Sequence, residues 1–197
     1  GCTHTTMHDF ASMRALPNLT ILAPCDAVQT EYLTDLLCQF TGPVYMRMGR
    51  GDVPPVYEAG EKFEIGKIKT VCEGTDATII ACGEMVAPAK KAAELLQAEG
   101  ISVRVLDCFT IQPMDTKTVE KALRETRAVV TVEEHSTRGG LGEAVSHIAA
   151  ELRGSAPMRL LGLPEEVVIG KSQELFAYYG LTPEGISAAI KERLECE

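Results

Sequence analysis

One segment of the chain places acidic, imidazole, guanidinium and glycine groups close enough together to support chemistry. It is VEEHSTRGGLG, residues 132–142, which follows an apolar run typical of a buried strand and precedes a predicted helix. A glycine turn at the N-terminus of a helix offers free N–H groups and the positive end of the helix dipole, so an anion could bind there. The segment lacks the third glycine of the dinucleotide-binding fingerprint, and a tight turn alone would explain its glycines. The structural interpretation is therefore favoured over a nucleotide site.

His135 lies inside this segment and could act as a general base. A carboxylate of Glu133 or Glu134 would then orient the imidazole and raise its basicity. The sequence places no nucleophile at a recognisable spacing from His135. We therefore favour a hydrogen-bonded histidine at the end of a strand, where it could face a subunit interface.

Two arginines and one further histidine are candidates for contacting a ligand. Arg50 stands just past the C-terminal end of a predicted strand, where ligands of open α/β sheets bind, and a guanidinium fits phosphate in bidentate fashion. Arg47 lies on that strand. From residue type alone, a structural salt bridge is the favoured interpretation of either arginine. His4 lies in a threonine-rich stretch with no predicted helix or strand before it, and is interpreted as solvated coil.

The elements that must position these groups alternate between strands and helices. Asp26 is the predicted N-cap of the second helix, and Pro17 ends the first. Such alternation with short connections implies the α/β class, with a mostly parallel sheet covered on both faces in a three-layer αβα domain. The predicted strands are 19–22, 43–48, 63–71 (strand or hairpin), 77–81, 103–106, 128–132 and 158–161, and the predicted helices are 7–16, 27–40, 86–98, 116–126, 142–152, 172–178 and 183–194.

A change of composition divides the chain. Residues 51–61 (GDVPPVYEAGE) combine two prolines, two glycines and three acids with little periodicity, which predicts a domain linker. One complete α/β domain follows the linker. The piece before it has only two predicted strands, so we expect it to be the tail of a second α/β domain whose sheet begins upstream. The chain starts at Gly1 rather than at a methionine, and we expect it to be part of a longer polypeptide.

Charge and composition exclude several classes of protein. The 197 residues are 45% apolar and 24% charged, which is ordinary globular composition and excludes intrinsic disorder. A formal net charge of −9 without a basic cluster argues against nucleic-acid binding. No run approaches the ~20 apolar residues of a membrane-spanning helix and no signal peptide is recognisable, so a soluble cytoplasmic protein with no membrane partner is expected. The seven cysteines lack zinc-site spacing, which predicts reduced thiols and no metal site.

Seven ordered segments of the chain together match one known family. They are CTH (2–4), MHDFASMRALPNLTILAPCDAV (7–28), GPVYMRMGR (42–50), FEIGK (63–67), VRVLDCFTIQPMD (103–115), VEEHSTRGGLGEAV (132–145) and YGLTPEGI (179–186). Through them the chain resembles the C-terminal part of transketolase, especially the form that bacteria and archaea split into two polypeptides. The resemblance extends over essentially all of the chain.

The resemblance implies a domain organisation, a cofactor and partners. Residues 1–53 would be the C-terminal part of the pyrimidine-binding domain, 54–60 a linker, and 61–197 the transketolase C-terminal domain. The family binds thiamine diphosphate and Mg2+ between the N-terminal domain of one subunit and the pyrimidine-binding domain of another. The glutamate that activates the cofactor and the acidic motif that holds Mg2+ lie upstream in the family, so no cofactor or metal ligand is assigned to this chain. The implied partner is an N-terminal transketolase polypeptide or upstream domains, in a homo-oligomer of such pairs.

The resemblance also gives His4 and Arg50 a functional interpretation. His4 falls on the active-site histidine of the family's (P/S)-(T/S)-H motif, which contacts the donor substrate. Arg50 falls on the arginine that binds the sugar phosphate. Both assignments suit the chemistry, because a ketose donor has hydroxyls that need hydrogen-bond partners and a phosphate that needs a cation.

The activity implied by the resemblance is transfer of a two-carbon ketol unit between sugar phosphates, as in the pentose phosphate pathway, with carbanion chemistry supplied by the cofactor. The chain alone is expected to be inactive. One alternative is a related thiamine enzyme, either deoxyxylulose-phosphate synthase or the β subunit of a 2-oxo-acid dehydrogenase, although GPVYMRMGR and HSTRGGLG favour transketolase. Another is a noncatalytic assembly or regulatory module that lacks the catalytic half.

Overall fold

Apolar strands and amphipathic helices alternate along the chain and build two sheets. The computed structural model describes residues 6–49, 51–166 and 168–195. Its helices are α1 (Asp9–Arg14), α2 (Ala27–Leu37), α3 (Val86–Ala98), α4 (Thr116–Glu125), α5 (Leu141–Glu151), α6 (Ser172–Tyr178) and α7 (Pro183–Glu195). Its strands are β1 (Thr20–Leu22), β2 (Val44–Met46), β3 (Lys69–Cys72), β4 (Ala77–Ala81), β5 (Val103–Asp107), β6 (Thr110–Gln112), β7 (Ala128–Ser136) and β8 (Met158–Leu163). We call the described residues before the 51–61 segment the first part of the chain and those after it the second part.

The larger sheet has five strands in the order β3-β5-β4-β7-β8, and all of its pairs are parallel except β3 with β5. β4 lies at its centre, and every residue of β4 is buried. The hydroxyl of Thr78, the polar side chain of this strand, shares a hydrogen bond with the hydroxyl of Thr126 across 3.1 Å. The centre of the sheet therefore buries no unpaired hydroxyl at this position.

Helices cover both faces of the larger sheet. Leu96 of α3 and Ile190 of α7 are fully buried in an apolar core on one face. Val119 of α4 and Val145 of α5 are fully buried in a separate core on the other face. Removing both sets of side chains from water is the main favourable contribution to folding. The predicted three-layer αβα arrangement is confirmed.

The smaller sheet connects the two parts of the chain. Its order is β2-β1-β6, with β2 parallel and β6 antiparallel to β1. β1 and β2 belong to the first part, whereas β6 follows β5 of the larger sheet. Beside this pair the N–H of Ala23 donates to the carbonyl of Phe109 at 2.8 Å. β6 was not predicted from the sequence, because a strand of three residues directly after another strand leaves no periodicity to detect.

The 51–61 segment forms neither helix nor strand, but it is fixed in place. Val56 and Tyr57 donate their backbone N–H groups to one carboxylate oxygen of Asp26, at 2.8 and 2.9 Å. The other oxygen of Asp26 accepts the N–H of Gln29 at 2.8 Å, so Asp26 is the N-cap of α2, as predicted. A single carboxylate thus starts the helix and holds the segment against it.

Two elements near this segment are shorter than predicted. α2 ends at Leu37 rather than Phe40, because the N–H groups that follow bond to carbonyls three residues back and tighten the chain into turns. The strand or hairpin predicted over 63–71 is reduced to β3. Phe63, the first residue of the predicted strand, instead packs edge-on against the ring of Tyr57, with ring centroids 4.9 Å apart.

β7 is longer than predicted, since it extends to Ser136 rather than ending at Val132. Acidic and imidazole side chains indicate a loop in the sequence, but Glu133 and His135 are fully buried in the strand. Buried polar groups are tolerated when they are hydrogen-bonded, and both of these are.

The described residues hold neither a membrane-spanning helix nor a metal cluster. None of their helices combines the length and apolar character that crossing a bilayer requires. No three of their His, Cys, Asp or Glu side chains group in a way that could hold a metal ion. The free thiols among them are Cys25, Cys38, Cys72, Cys82 and Cys108.

Candidate functional site

An internal carboxylate occupies the N-terminus of α5. Both oxygens of Glu133 accept backbone N–H groups, one from Leu141 at 2.7 Å and the other from Gly142 at 2.8 Å. Burial raises the pKa of the Glu133 carboxyl to about 7, while the two N–H groups act in the opposite direction. The N–H groups that could have served an external anion therefore bind the chain's own side chain, and the nucleotide alternative for 132–142 is wrong.

Close packing explains three glycines of the same turn. Gly139 has a φ of +72°, and a Cβ atom there would collide with Ala11 of α1. A Cβ atom on Gly140 would collide with the Glu133 carboxylate, and one on Gly142 would crowd the larger sheet. Glycine at these positions lets α1, the carboxylate and the sheet all approach the turn. Through the contact of Gly139 with Ala11, the turn packs the second part of the chain against the first.

His135 is part of the same contact. Its Nε2 accepts the backbone N–H of Phe10 at 3.1 Å, its Nδ1 donates to the carbonyl of Ser136 at 2.6 Å, and its ring stacks on that of Phe10 with centroids 4.9 Å apart. With one nitrogen accepting and one donating, the imidazole is neutral, and burial lowers its pKa. A fully buried ring with both nitrogens occupied does not serve as a general base. His135 is the hydrogen-bonded histidine at a strand end that the sequence favoured.

Arg47 is held in a structural ion pair, as the sequence favoured. Its Nε lies 3.3 Å from a carboxylate oxygen of Asp9, and its Nη2 lies 3.2 Å from one of Glu134. The guanidinium also lies over the ring of Phe10, 5.3 Å from its centroid. The same oxygen of Asp9 accepts the hydroxyl of Tyr45 at 2.8 Å. Arg47 thus ties the end of β2 to α1 and to the end of β7.

A second buried contact between the two parts of the chain centres on Asp107, at the end of β5. Its Oδ2 accepts the side-chain amide of Gln29 at 2.7 Å and the hydroxyl of Tyr57 at 2.8 Å. Its Oδ1 is buried without a hydrogen-bond partner. Burial raises the pKa of the Asp107 carboxyl to about 7, and the two hydrogen bonds to Oδ2 only partly offset that effect. This residue was not among those that the sequence singled out.

A cleft of about 1160 Å3 opens beside the Arg47 ion pair. Its walls come from both parts of the chain and from the 51–61 segment, and they include residues of α3, α6 and α7. Its volume exceeds the ~300–1,000 Å3 of typical small-molecule sites. Thr6, Gly49 and Gly51 line it. His4 and Arg50, the two site residues assigned by resemblance, lie outside the described residues, and these three are the described residues nearest to them in sequence.

Charged side chains of both signs line the cleft. The positive ones are Arg47, Lys90 and Lys91, and the negative ones are Asp52, Glu84, Glu94 and Glu134. Burial, followed by the neighbouring carboxyl of Glu84, raises the pKa of Glu134 to about 8. Glu84 was missed from the sequence. Its position just past the carboxyl end of β4, where ligands of parallel sheets bind, is the signal that could have identified it.

Two family models match the chain and together cover most of it. The model described as transketolase, pyrimidine binding domain, matches residues 1–55, and the model described as transketolase, C-terminal domain, matches residues 66–186. The chain belongs to the transketolase family. This family depends on thiamine diphosphate, and the resemblance expected from the sequence is confirmed.

Members of the transketolase family align with nearly the whole chain. One subunit of the apulose-4-phosphate transketolase of Phocaeicola vulgatus is 47% identical over 194 residues, which are 98% of this chain and 62% of that protein. The 1-deoxy-D-xylulose-5-phosphate synthase of Chlorobium luteolum is 36% identical over 196 residues, which are 98% of this chain and 31% of the synthase. A solved structure described as a split-gene transketolase, inactive β4 tetramer, is 40% identical with a TM-score of 0.89, and the match covers 99% of this chain and 63% of that one. The chain therefore spans less than two thirds of each of these relatives.

The candidate site of this transketolase-family chain is the cleft rather than the 132–142 segment. The segment that looked most site-like in the sequence holds the two parts of the chain together. The cleft is open, carries charge and is lined by residues of both parts.

Proposed function

We propose that this chain is the second polypeptide of a split transketolase and that, with an N-terminal partner, it transfers a two-carbon ketol unit between sugar phosphates. The observation that supports this most is the lining of the cleft. Thr6, at the start of the described residues, lines the same opening as Gly49 and Gly51, which follow β2, although Thr6 is far from them in sequence. The need for a partner is supported by two relatives, of which one is named as a subunit of a transketolase and the other as a split-gene transketolase.

Arg50 binds the substrate phosphate in this proposal, and His4 contacts the donor end. A guanidinium offers parallel N–H donors that match two phosphate oxygens. Binding energy gained at the phosphate, away from the reacting carbon, aligns that carbon for reaction. An imidazole can donate to or accept from a ketose hydroxyl and can relay a proton near neutral pH.

The thiamine diphosphate site is assigned to the partner polypeptide or to upstream residues. Mg2+ takes oxygen ligands, chiefly carboxylates and phosphates, and the described residues contain no group of acidic side chains that could hold it. Two of their buried carboxylates already bind groups of this chain, since both oxygens of Glu133 bind the N-terminus of α5 and Oδ2 of Asp107 binds Gln29 and Tyr57. The described residues therefore supply no set of Mg2+ ligands, and the proposal assigns the metal and the carbanion chemistry outside them.

A second candidate activity is that of a deoxyxylulose-phosphate synthase. The identity of 36% to a protein of that name over nearly the whole chain favours it. The two activities differ in the donor, which is a ketose phosphate for ketol transfer and a 2-oxo acid for the synthase. The domain boundary at 54–60, the homo-oligomer and the cytoplasmic location expected from the sequence stay predictions.

Calorimetric titration of thiamine diphosphate and Mg2+ tests the proposal. The cofactor is titrated into the chain alone, and then into the chain mixed with the polypeptide encoded immediately upstream. We expect binding only in the mixture, which should then convert a ketose phosphate and an aldose phosphate. Consumption of a 2-oxo acid instead would favour the synthase. Absence of binding in both titrations would favour a noncatalytic module, and binding to the chain alone would show that the cofactor site is misassigned.

A further inference from the structure

Residues 51–57, which we call the strap, form one wall of the cleft and connect the first part of the chain to the second. Residues 51–56 all line the cleft, and the strap contains neither helix nor strand. Within the described residues, the hydrogen bonds of the strap are those of Val56 and Tyr57, at its C-terminal end. The position of this wall therefore depends on the groups that bind these two residues.

Two carboxyl groups, one from each part of the chain, bind the end of the strap. In the first part, Oδ2 of Asp26 accepts the backbone N–H groups of Val56 and Tyr57 at 2.8 and 2.9 Å. In the second part, Oδ2 of Asp107 accepts the hydroxyl of Tyr57 at 2.8 Å. Both side chains of this second contact are buried. Tyr57 is thus the residue through which the strap is attached to the larger sheet.

The Asp107 carboxyl is placed so that its neutral form fits the site better than its ionised form. Its Oδ2 accepts from both Gln29 and Tyr57, whereas its Oδ1 is buried without a hydrogen-bond partner. A protonated carboxyl with its hydrogen on Oδ1 leaves Oδ2 free to accept both donors. An ionised carboxylate would instead place negative charge on the unpartnered Oδ1, which is costly away from water.

The described groups that face Asp107 are acidic or neutral, apart from one lysine. Burial raises the pKa of Asp107 to about 7, the hydrogen bonds to Oδ2 only partly offset this rise, and the charge of Asp26 adds to it. Lys69, which lies opposite Asp107 in the pairing of β3 with β5, binds Glu61 at 2.6 Å. The remaining titratable side chains around Asp107 are the thiols of Cys25, Cys82 and Cys108 and the phenol of Tyr57.

We propose that the strap is a pH-sensitive wall of the cleft, which the neutral Asp107 carboxyl holds in place and which is released when Asp107 loses its proton to solvent. Water reaches Asp107 once the strap is displaced, so ionisation favours the displaced arrangement. Between the ordinary pKa of 3.8 and about 7, the closed arrangement binds more protons than the displaced one. Displacement therefore increases with pH over this range and levels off above it. Neither the strap nor its test depends on the proposed activity, because both involve this chain's own residues alone.

Hydrogen exchange of the Val56 and Tyr57 amides in the full-length polypeptide tests whether the strap opens by itself. Both amides are bound to Asp26 when the strap is closed. At pH 7, after correction for intrinsic rates, they should exchange roughly 10-fold or more faster than the amide of Ile79, which is fully buried in the central strand β4. Exchange of all three amides at one corrected rate would mean that the strap opens only when the whole protein unfolds, and would overturn the proposal.

Asp107→Asn measures the contribution of the proton. Asparagine is neutral at every pH, and its amide oxygen can accept from Gln29 and Tyr57. Dividing the wild-type exchange rate by that of the variant at each pH cancels the intrinsic pH dependence of exchange. For the Val56 and Tyr57 amides this ratio should rise roughly 10- to 100-fold from pH 5 to pH 8. Asp35→Asn, at an exposed position on α2, is the matched control and should give a constant ratio. A constant ratio for Asp107→Asn as well would overturn the proposal.

Tyr57→Phe tests the contact itself and decides the matter even if Asp107→Asn does not fold. The variant keeps the ring that packs against Phe63 but removes the hydroxyl that donates to Asp107. We expect exchange of the Val56 amide to accelerate roughly 3- to 10-fold at pH 5, because one buried hydrogen bond is lost. Tyr178→Phe removes a hydroxyl from a residue that is 64% exposed, and it should leave this rate unchanged. Equal Val56 rates in the two variants would show that the hydroxyl does not hold the strap.

Discussion

The Nε2 atom of His135 accepts the backbone N–H of Phe10 across 3.1 Å, although 125 positions separate the two residues. This bond joins the end of β7 in the second part of the chain to α1 in the first. Because the histidine is fully buried, water cannot replace either of its hydrogen bonds when the side chain is changed.

Replacing His135 with phenylalanine should therefore destabilise the protein. His135→Phe keeps an aromatic ring against Phe10 but leaves the Phe10 N–H without an acceptor, so the free energy of unfolding should fall by about 1–3 kcal/mol. Urea denaturation measures the change. His147→Phe is the matched control, because His147 has a side chain that is 81% exposed on α5, and it should change stability by less than about 0.5 kcal/mol. Equal effects of the two substitutions would contradict the buried bond.

Glu133→Gln should destabilise the start of α5. The wild-type carboxylate accepts the N–H groups of both Leu141 and Gly142. The amide of glutamine has one acceptor oxygen, so its NH2 group would face one of these two N–H groups. The lost acceptor should lower the unfolding free energy by about 1–3 kcal/mol. Because burial raises the pKa of Glu133 to about 7, ionisation of the wild-type carboxyl opposes folding, so the deficit of the variant should be largest near pH 4–5 and should shrink as the pH rises through 7. Glu143→Gln provides the comparison, since Glu143 accepts the N–H of Gly139 at an exposed position and should cost little. If Glu133→Gln left the unfolding free energy unchanged, the carboxylate would not cap the helix.

Asp107 should make the stability of the protein fall as the pH rises from about 4 to about 7. In the folded protein its pKa is about 7, whereas the ordinary value is 3.8. Between these values the folded state binds more protons than the unfolded state, so the unfolding free energy decreases with increasing pH. Asp107→Asn cannot ionise, and its amide oxygen can still accept from Gln29 and Tyr57.

Unfolding measured between pH 5 and pH 8 tests this sign. The stability of Asp107→Asn relative to the wild type should increase over that range, by on the order of 1–4 kcal/mol. Asp35→Asn removes the same charge from an exposed position on α2 and should follow the wild-type curve. Parallel curves for Asp107→Asn and the wild type would mean that the buried carboxyl is already ionised at pH 5.

Steady-state kinetics of Arg50→Ala in the reconstituted enzyme should show whether Arg50 binds the substrate phosphate. Loss of a bidentate guanidinium should raise KM roughly 10- to 100-fold for phosphorylated sugars and far less for unphosphorylated ones. Arg124→Ala removes a guanidinium from an exposed position on α4 and serves as the control. Equal changes in KM for both kinds of sugar would exclude a phosphate role for Arg50.

His4→Ala should act on turnover rather than on the cofactor. Loss of a group that donates or relays a proton at the donor lowers kcat by roughly 100-fold or more. The affinity for thiamine diphosphate, measured by calorimetry, should stay nearly unchanged. His147→Ala is the matched histidine control. A wild-type kcat for His4→Ala would place this residue outside the site.

Local features of this fold could be predicted from the sequence, and long-range contacts could not. Asp26 was identified as an N-cap because its partner Gln29 lies only three residues away. Glu133 and His135 looked chemically active because nothing near them in sequence shows that a helix N-terminus and a distant backbone N–H bind them. Their true partners depend on how α1 and α5 pack, which periodicity does not encode.

The candidate site shows the same division. Arg50 was identified by its position after a strand and by a family motif, and His4 was identified by the motif alone, which is local information. Glu84 was missed, although it also follows a strand, because the cleft that it lines forms only where the two parts of the chain pack together. Asp107 was missed because a lone aspartate at a strand end gives no sign that Gln29 and Tyr57 enclose it.

Because β6 of the second part pairs with β1 of the first part, separating the two parts requires breaking the hydrogen bonds between these strands. A protease nick within residues 51–61 would leave the two pieces attached through strand hydrogen bonds and through the apolar core that Phe10 shares with the larger sheet. Expression of residues 61–197 by themselves would leave the edge of β6 open to pairing with other chains, so that such a piece would be prone to aggregate.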